Sequence, residues 1–166
     1  RQPTYTPDTD DPSFHPGRCA RVSAGGKDLG LFGQVHPLVA ANYGMDVEVY
    51  AAQLSFSDFL SVRKAETVYC PLPKYPTVSR DLALVCDESK TVGCVEQCIA
   101  AAGGKLLKSV NLFDIYRGPG IPAGKKSLAF SLELRADDRT LTDEDTTAVV
   151  QKILDKLNCD LGVQLR

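Results

Sequence analysis

The stretch from Asn111 to Leu134 constrains the fold most, because two strand-like runs flank a segment that cannot form regular structure. Both flanks alternate polar and apolar residues and are rich in aromatic and branched side chains, as β-strands are. The connection between them contains five helix- and ladder-breaking residues: Gly118, Pro119, Gly120, Pro122 and Gly124. Its only charged residues are basic: Arg117, Lys125 and Lys126. The pattern predicts a long hairpin whose basic tip meets an anion.

The segments around this hairpin predict the order β-α-β-β-α-β. A strand at 79–86 and a helix at 92–102 precede the hairpin strands at 105–116 and 126–136. Thr142 then caps a long helix with three acids in its first turn, and a short strand follows at 161–166. This order indicates an α+β, ferredoxin-like split βαβ domain, in which both helices cover one face of an antiparallel sheet. The other sheet face stays open to water or to a partner.

The first part of the chain predicts a small, mainly antiparallel β segment at 18–63. Strands at 18–24 and 27–35 are joined by Gly25-Gly26, a good tight turn, and a third strand is expected at 47–56. Gly30 and Gly33 suggest a bulge or a close backbone approach. A short helix at 37–43 and a helical turn at 57–62 are also expected. We expect residues 1–17 to be a linker or a severed domain edge. Residues 64–75 are predicted to form a proline-rich connector, and residues 76–166 the second domain.

Composition limits the class of protein. The chain is 43% hydrophobic and 24% charged, with a formal net charge of −2 and a pI near 5.7. A dedicated nucleic-acid domain is usually basic, so only a local basic patch is compatible with these totals. No apolar run approaches the roughly 18 residues that a membrane span needs. The first residues lack an initiator Met and an apolar signal core, so we expect a piece of a longer protein.

The reactive side chains do not form a catalytic or metal-binding pattern. Six cysteines occur without a Cys-x-x-Cys pair, and Cys94 and Cys98 have no second pair or nearby histidine. We expect reduced structural thiols, with a metal site or disulfides as the alternatives. His15 and His36 both precede proline, which is typical of backbone-positioning residues rather than general bases. No catalytic residue, cofactor site or metal site is expected in this chain.

Basic residues are the candidates for contact with an RNA backbone: Arg80, Arg117, Lys125, Lys126 and Arg135. The open face of the third strand offers small or acidic side chains, so base stacking of the usual kind is not expected. Alternatives remain for several candidates. Arg80 also fits an ion pair at the sheet edge, and the two lysines fit solvated loop charges. Asp114 and Tyr116 are expected to order the loop.

Four motifs occur in order in the second part of the chain: Tyr75-Pro76-x-x-x-Arg80-Asp81-Leu82, Phe113-Asp114-x-Tyr116, Gly124-Lys125-Lys126-Ser127-Leu128, and Arg139-Thr140-Leu141-Thr142-Asp143-Glu144. With the closing Leu165-Arg166, they resemble the ferredoxin-fold anticodon-binding domain of phenylalanyl-tRNA synthetases. Two earlier motifs, His15-Pro16-Gly17-Arg18 and Gly30-x-x-Gly33-x-x-His36-Pro37, resemble the end of the class II synthetase-like core in the bacterial β subunit. The resemblance covers residues 14–166.

The resemblance implies the C-terminal part of the β subunit of a cytoplasmic α2β2 ligase, which joins phenylalanine to tRNA(Phe) with ATP and magnesium. The active site then lies in the α subunit, and this chain is non-catalytic. Residues 76–166 would hold tRNA(Phe). The first part would pack on the α subunit and the remainder of β, so we expect residues 1–74 to expose an apolar surface.

One alternative is a stand-alone ferredoxin-like interaction or regulatory module that dimerises through its open sheet and does not bind RNA. An electron-transfer ferredoxin is excluded, because four cysteines at cluster spacing are absent.

Overall fold

The computed structural model describes residues 3–63, 69 and 71–166, and the chain separates into two compact units. Unit 1 extends to Cys70, and unit 2 runs from Pro71 to Arg166. Within the described ranges, no helix combines the length and apolarity that crossing a membrane would require.

Unit 1 is built on a four-stranded sheet with the order β1-β2-β3-β4, in which every neighbouring pair is antiparallel. Two short helices follow β3 and β4. The elements are β1 Thr4–Pro7, β2 Phe14–Ala24, β3 Lys27–Val35, α1 Pro37–Asn42, β4 Tyr50–Leu54 and α2 Phe56–Val62. The prediction of a mainly antiparallel β segment is therefore confirmed.

Glycines act in unit 1 where the sequence predicts it. Gly25 and Gly26 turn the β2–β3 hairpin with φ angles of 57° and 79°, which other residues rarely adopt. A Cβ added at Gly30 would lie 2.0 Å from the carbonyl oxygen of Gln53 on β4, and one at Gly33 would lie 2.4 Å from that of Arg18 on β2. Both strands therefore approach β3 at distances that only glycine permits, as predicted.

Three boundaries in unit 1 differ from expectation. Thr4–Pro7 forms an edge strand paired with β2, and β2 begins at Phe14, so the linker interpretation of 1–17 is wrong for those residues. The pairing of Thr4 with Ser23 is long-range, and local composition does not reveal it. The strand predicted at 47–56 is confined to Tyr50–Leu54, because Ser55 caps α2 through its hydroxyl. Residues 64–68 and 70 of the predicted connector lie outside the described residues.

Unit 2 has the predicted β-α-β-β-α-β order and a four-stranded sheet in the order β6-β7-β5-β8, again antiparallel throughout. The elements are β5 Val78–Asp87, α3 Val92–Gly103, β6 Leu107–Tyr116, β7 Lys125–Leu134, α4 Asp143–Leu161 and β8 Gln164–Leu165. A 3-10 turn, Gly104–Leu106, delays the start of β6. The last strand is shorter than predicted, because α4 continues to Leu161 before Gly162 ends it with a φ of 66°.

The core of unit 2 lies between the helices and one face of the sheet. Leu128, Phe130 and Leu132 of β7 are completely buried there, against Ile99 of α3 and Leu157 of α4. Alternate residues of a strand point to opposite faces, so the intervening residues of β7 lie on the face without helices. The sheet thus has one covered face and one open face, as the sequence predicts.

Candidate functional site

The five predicted contact residues do not form one patch. Arg117, Lys125 and Lys126 lie at the β6–β7 loop, as the hairpin pattern predicts. Arg80 lies near the start of α4, where it meets Asp143. Arg135 follows the far end of β7, about 33 Å from Lys125 at the usual rise of an extended strand. The structure therefore brings together only the three loop residues.

Two loop cations form exposed ion pairs with the end of β5 and the turn after it. The Arg117 Nε and Nη2 atoms donate to Glu88 Oε1 at 3.0 and 2.7 Å, and these hydrogen bonds hold the pKa of Glu88 below its usual value. The Lys125 ammonium lies 4.0 Å from Asp87 Oδ1. Exposed pairs of this kind contribute little to stability, so both side chains remain available to a phosphate oxygen.

Lys126 does not belong with these solvated charges, which corrects its interpretation as a loop cation. Lys126 is only 7% exposed, and its ammonium group donates to the Glu88 carbonyl oxygen at 3.0 Å. Strand β7 already begins at Lys125, so alternation directs Lys126 to the same sheet face as buried Leu128. Lys126 is therefore a structural lysine that secures the turn after β5.

Arg80 is an ion-pair residue of the helix-covered face. It shares that face with Leu82, and its Nη2 donates to Asp143 Oδ1 at 2.9 Å in the first turn of α4. This geometry agrees with the ion-pair alternative and places Arg80 among acids.

Arg135 is largely covered, with its Nε 3.7 Å from Asp137 Oδ1 and without a hydrogen-bond partner among the described residues.

The sheet face of unit 2 without helices carries a floor of small side chains, of which Ser127 is buried. We call the floor formed by Ala83, Ser127 and Ala129 the platform. The register places Ala129 between Ala83 and Asp114, and Ser127 beside Tyr116. Asp114 and Tyr116 therefore border the platform along the edge strand β6.

Arg166 borders the platform from the opposite side. Its backbone N–H donates to the Ala83 carbonyl oxygen at 2.8 Å, and its guanidinium carbon lies 5.5 Å from the centre of the Tyr116 ring. Among the described residues, Arg166 has no carboxylate within salt-bridge distance. Sequence reasoning did not select Arg166 among the contact candidates, although Leu165-Arg166 was part of the family resemblance.

Tyr116 has two roles in this geometry. Its hydroxyl donates to the Pro119 carbonyl oxygen at 3.2 Å, which confirms the prediction that it orders the loop. Tyr116 is also 37% exposed, and its ring lies beside Arg166 on the sheet face without helices. A planar group of a ligand can stack on such a ring, so the platform does offer an aromatic surface. The sequence prediction against base stacking rested on the third strand alone, whereas Tyr116 lies on the strand beside it.

The histidines and cysteines play structural parts. The Nδ1 atoms of His15 and His36 accept hydrogen bonds from the backbone N–H groups of Gly17 and Leu38, at 3.0 and 3.2 Å, which confirms their backbone-positioning role. The described cysteines are free thiols, and Cys70 lies outside the described residues. Burial raises the pKa values of Cys19, Cys86 and Cys98. Over residues 3–63, 69 and 71–166, no three potential metal ligands gather at one point.

The sheet order of unit 2 and its one-sided helix layer define an α+β domain of the ferredoxin-fold class. Residues 73–166 match the ferredoxin-fold anticodon binding domain, and residues 1–56 match the phenylalanyl tRNA synthetase beta chain CLM domain. The chain belongs to the ferredoxin-fold anticodon binding domain family. These matches confirm the resemblance drawn from the sequence motifs.

Several phenylalanine–tRNA ligase beta subunits are similar to this chain over nearly its whole length. The chain is 44% identical over 153 residues to the phenylalanine–tRNA ligase beta subunit of Geobacillus kaustophilus, covering 92% of this chain and 19% of that protein. It is 45% identical over 157 residues to the beta subunit of Halalkalibacterium halodurans, covering 95% and 19%. For the beta subunit of a Synechocystis species, the identity is 42% over 167 residues, covering 98% and 21%. The chain thus spans about a fifth of the length of these relatives.

Proposed function

We propose that this chain is the tRNA-binding C-terminal portion of a phenylalanine–tRNA ligase beta subunit. The observation that carries the proposal is the match of both units to regions of one enzyme, supported by relatives that share more than 40% identity. The chain holds tRNA(Phe), while an α subunit charges that tRNA with phenylalanine in an ATP- and magnesium-dependent reaction in the cytoplasm. The chain itself contributes binding and positioning rather than catalysis.

The tRNA lies on the open side of the unit 2 sheet. Arg117 and Lys125 contact its phosphate backbone from the β6–β7 loop, and Arg166 adds a cation whose charge no described carboxylate balances at close range. A base stacks on Tyr116 above the platform. The acids at the start of α4 lie with the helix layer, so they do not oppose RNA on this face.

Unit 1 serves as scaffolding in this proposal. Its described residues expose eleven large apolar side chains, which supports the predicted apolar surface: Tyr5, Phe32, Leu38, Tyr43, Val47, Tyr50, Leu54, Phe56, Phe59, Leu60 and Tyr69. The remainder of the β subunit and the α subunit cover this surface in an α2β2 assembly.

Binding of tRNA(Phe) to the chain at several salt concentrations tests the proposal. We expect affinity to fall steeply with salt, and Lys125→Glu and Arg117→Glu to weaken binding, because each reverses a charge beside a phosphate. Absence of binding at low salt would overturn the proposal. Concentration-dependent dimerisation without tRNA binding, measured by sedimentation, would instead favour the stand-alone interaction module.

A further inference from the structure

Glu88 holds the β6–β7 loop through three separate groups. Its backbone N–H donates to the Gly124 carbonyl oxygen at 2.9 Å, and its own carbonyl oxygen accepts the Lys126 ammonium at 3.0 Å. Its carboxylate accepts both hydrogen bonds from Arg117. A single residue of the turn after β5 therefore binds the loop at its beginning and at its end.

The loop that Glu88 holds is itself turned twice. The Ile121 N–H donates to the Gly118 carbonyl oxygen, and the Lys125 N–H donates to the Pro122 carbonyl oxygen, each at 3.1 Å. Tyr116 supports the same loop through its hydrogen bond to Pro119. With its backbone held in this way, the direction of the Arg117 side chain depends on the Glu88 carboxylate.

The Glu88 carboxylate occupies one edge of the Arg117 guanidinium and leaves the other edge unused. Both hydrogen bonds come from the Nε/Nη2 edge and end on the same oxygen, Oε1. Among the described residues, the Nη1 atom of Arg117 has no hydrogen-bond partner. The edge formed by Nη1 and Nη2 has the geometry that receives two phosphate oxygens in parallel.

Because the two edges differ, Glu88 and a phosphate can bind Arg117 at the same time. A carboxylate that competed with phosphate would occupy the Nη1/Nη2 edge. A carboxylate on the Nε edge instead reduces the number of directions that a long, half-exposed side chain can take, and ordering it beforehand lowers the cost of binding.

We propose that Glu88 is a positioning residue for RNA, which directs the free edge of Arg117 toward a phosphate of the bound tRNA. This inference rests on the proposed function, since it names how the β6–β7 loop holds the RNA backbone. Glu88 makes no contact with RNA itself and acts through Arg117.

A double-mutant cycle on the full chain tests the inference, with tRNA(Phe) as the probe. We expect Glu88→Ala to weaken binding about three- to tenfold and to make the salt dependence shallower, as Arg117→Ala does. In the Arg117→Ala background, Glu88→Ala should have no further effect. Glu88→Gln should retain most of the affinity, because its carboxamide oxygen still accepts the two hydrogen bonds.

Glu48→Ala is the matched control, since Glu48 forms a similarly exposed 3.0 Å ion pair with Arg18 in unit 1. It should leave tRNA affinity unchanged. Thermal unfolding of each variant establishes that it is folded.

Two results would overturn the inference alone: normal tRNA binding by Glu88→Ala, or tighter binding, which would mean that the carboxylate competes with phosphate. An equal loss from Glu88→Ala with and without Arg117 would also overturn it. If the unaltered chain does not bind tRNA(Phe), the proposed function fails and the inference fails with it.

Discussion

The Arg166 guanidinium carbon lies 5.5 Å from the centre of the Tyr116 ring, although the two residues belong to opposite edges of a four-stranded sheet. Two features permit this contact. Arg166 lies opposite Ala83, and Ala83 lies opposite Ala129, so small side chains leave room above the sheet. A cation beside an aromatic face is also favourable, although weakly so where water has access.

Arg166 is expected to contribute to tRNA binding. Arg166→Ala should lower affinity for tRNA(Phe) about three- to tenfold and reduce the slope of log affinity against log salt by about one, as loss of a phosphate contact does. Lys152→Ala is the control, because Lys152 is an exposed cation of α4 in the helix layer. Equal effects of the two substitutions would mean that only the total charge matters.

The Thr142 hydroxyl is expected to stabilise unit 2. It accepts the Asp145 N–H at 3.2 Å, and the Asp145 carboxylate in turn accepts the Thr142 N–H, forming a capping box at the start of α4. Thr142→Ala should lower the free energy of unfolding by about 1 kcal/mol. Thr140→Ala is the control, since the Thr140 hydroxyl has no hydrogen bond within the described ranges. Amide hydrogen exchange in α4 measures both effects, and equal losses would contradict the capping role.

Acid is expected to weaken the same helix start. Hydrogen bonds from Arg139, and then from the Thr142 backbone, hold the pKa of Asp145 below its ordinary value of 3.8. A lowered pKa in the folded state means that the ionised carboxylate adds stability above pH 3.8, and this stability disappears as pH falls through the folded value. The free energy of unfolding of Asp145→Asn, measured with urea between pH 2 and 7, should therefore fall less steeply toward acid pH than that of the unaltered chain.

The control for this pH dependence is Asp138→Asn, because the Asp138 carboxylate forms no salt bridge with a described residue. The free energy of unfolding of this variant should fall toward acid pH as steeply as that of the unaltered chain. If the free energy of unfolding had the same pH dependence in all three proteins, the Asp145 carboxylate would have no influence on acid unfolding.

Gly30 is expected to be essential for the β3–β4 pairing. Its φ is 126°, and a Cβ there would lie 2.0 Å from the Gln53 carbonyl oxygen, so Gly30→Ala should cost more than about 2 kcal/mol. At Gly26, φ is also positive, but nothing lies within 4 Å of an added Cβ, so Gly26→Ala should cost only about 1 kcal/mol. Exchange of the Ser55 amide, which donates to the Leu29 carbonyl oxygen, reports the loss. Equal costs would indicate that φ alone matters.

Most of the fold of unit 2 was predictable, because its signals are local. The two-residue period of β7, the Thr142 cap and the glycines of the loop each act within a few residues. Edge strand β1 was not predictable, because Thr4–Pro7 becomes a strand only through pairing with residues from Ala20 to Ser23. The length of β8 was overestimated, because α4 continues to Leu161 and ends only at Gly162.

The candidate site was predictable in part. The sequence places Arg117 and Lys125 at a turn by their glycine and proline neighbours, and the structure agrees. The interpretation of Lys126 as a solvated charge was wrong, because alternation with Leu128 places it on the covered sheet face, where it donates to the Glu88 carbonyl oxygen. Arg80 had two interpretations; its distance to Asp143 shows the ion pair, and its contact with RNA stays a prediction.

The order of elements in unit 2, the buried face of its sheet and the family of the chain follow from periodicity and motifs along the chain. Which charges are balanced by nearby acids, and which side chains meet across the sheet, follows from the folded arrangement alone. The Arg117–Glu88 pair joins residues 29 positions apart, and the contact between Tyr116 and Arg166 joins more distant ones. Such contacts depend on strand order and register, which fix distances in space that separation along the chain does not encode.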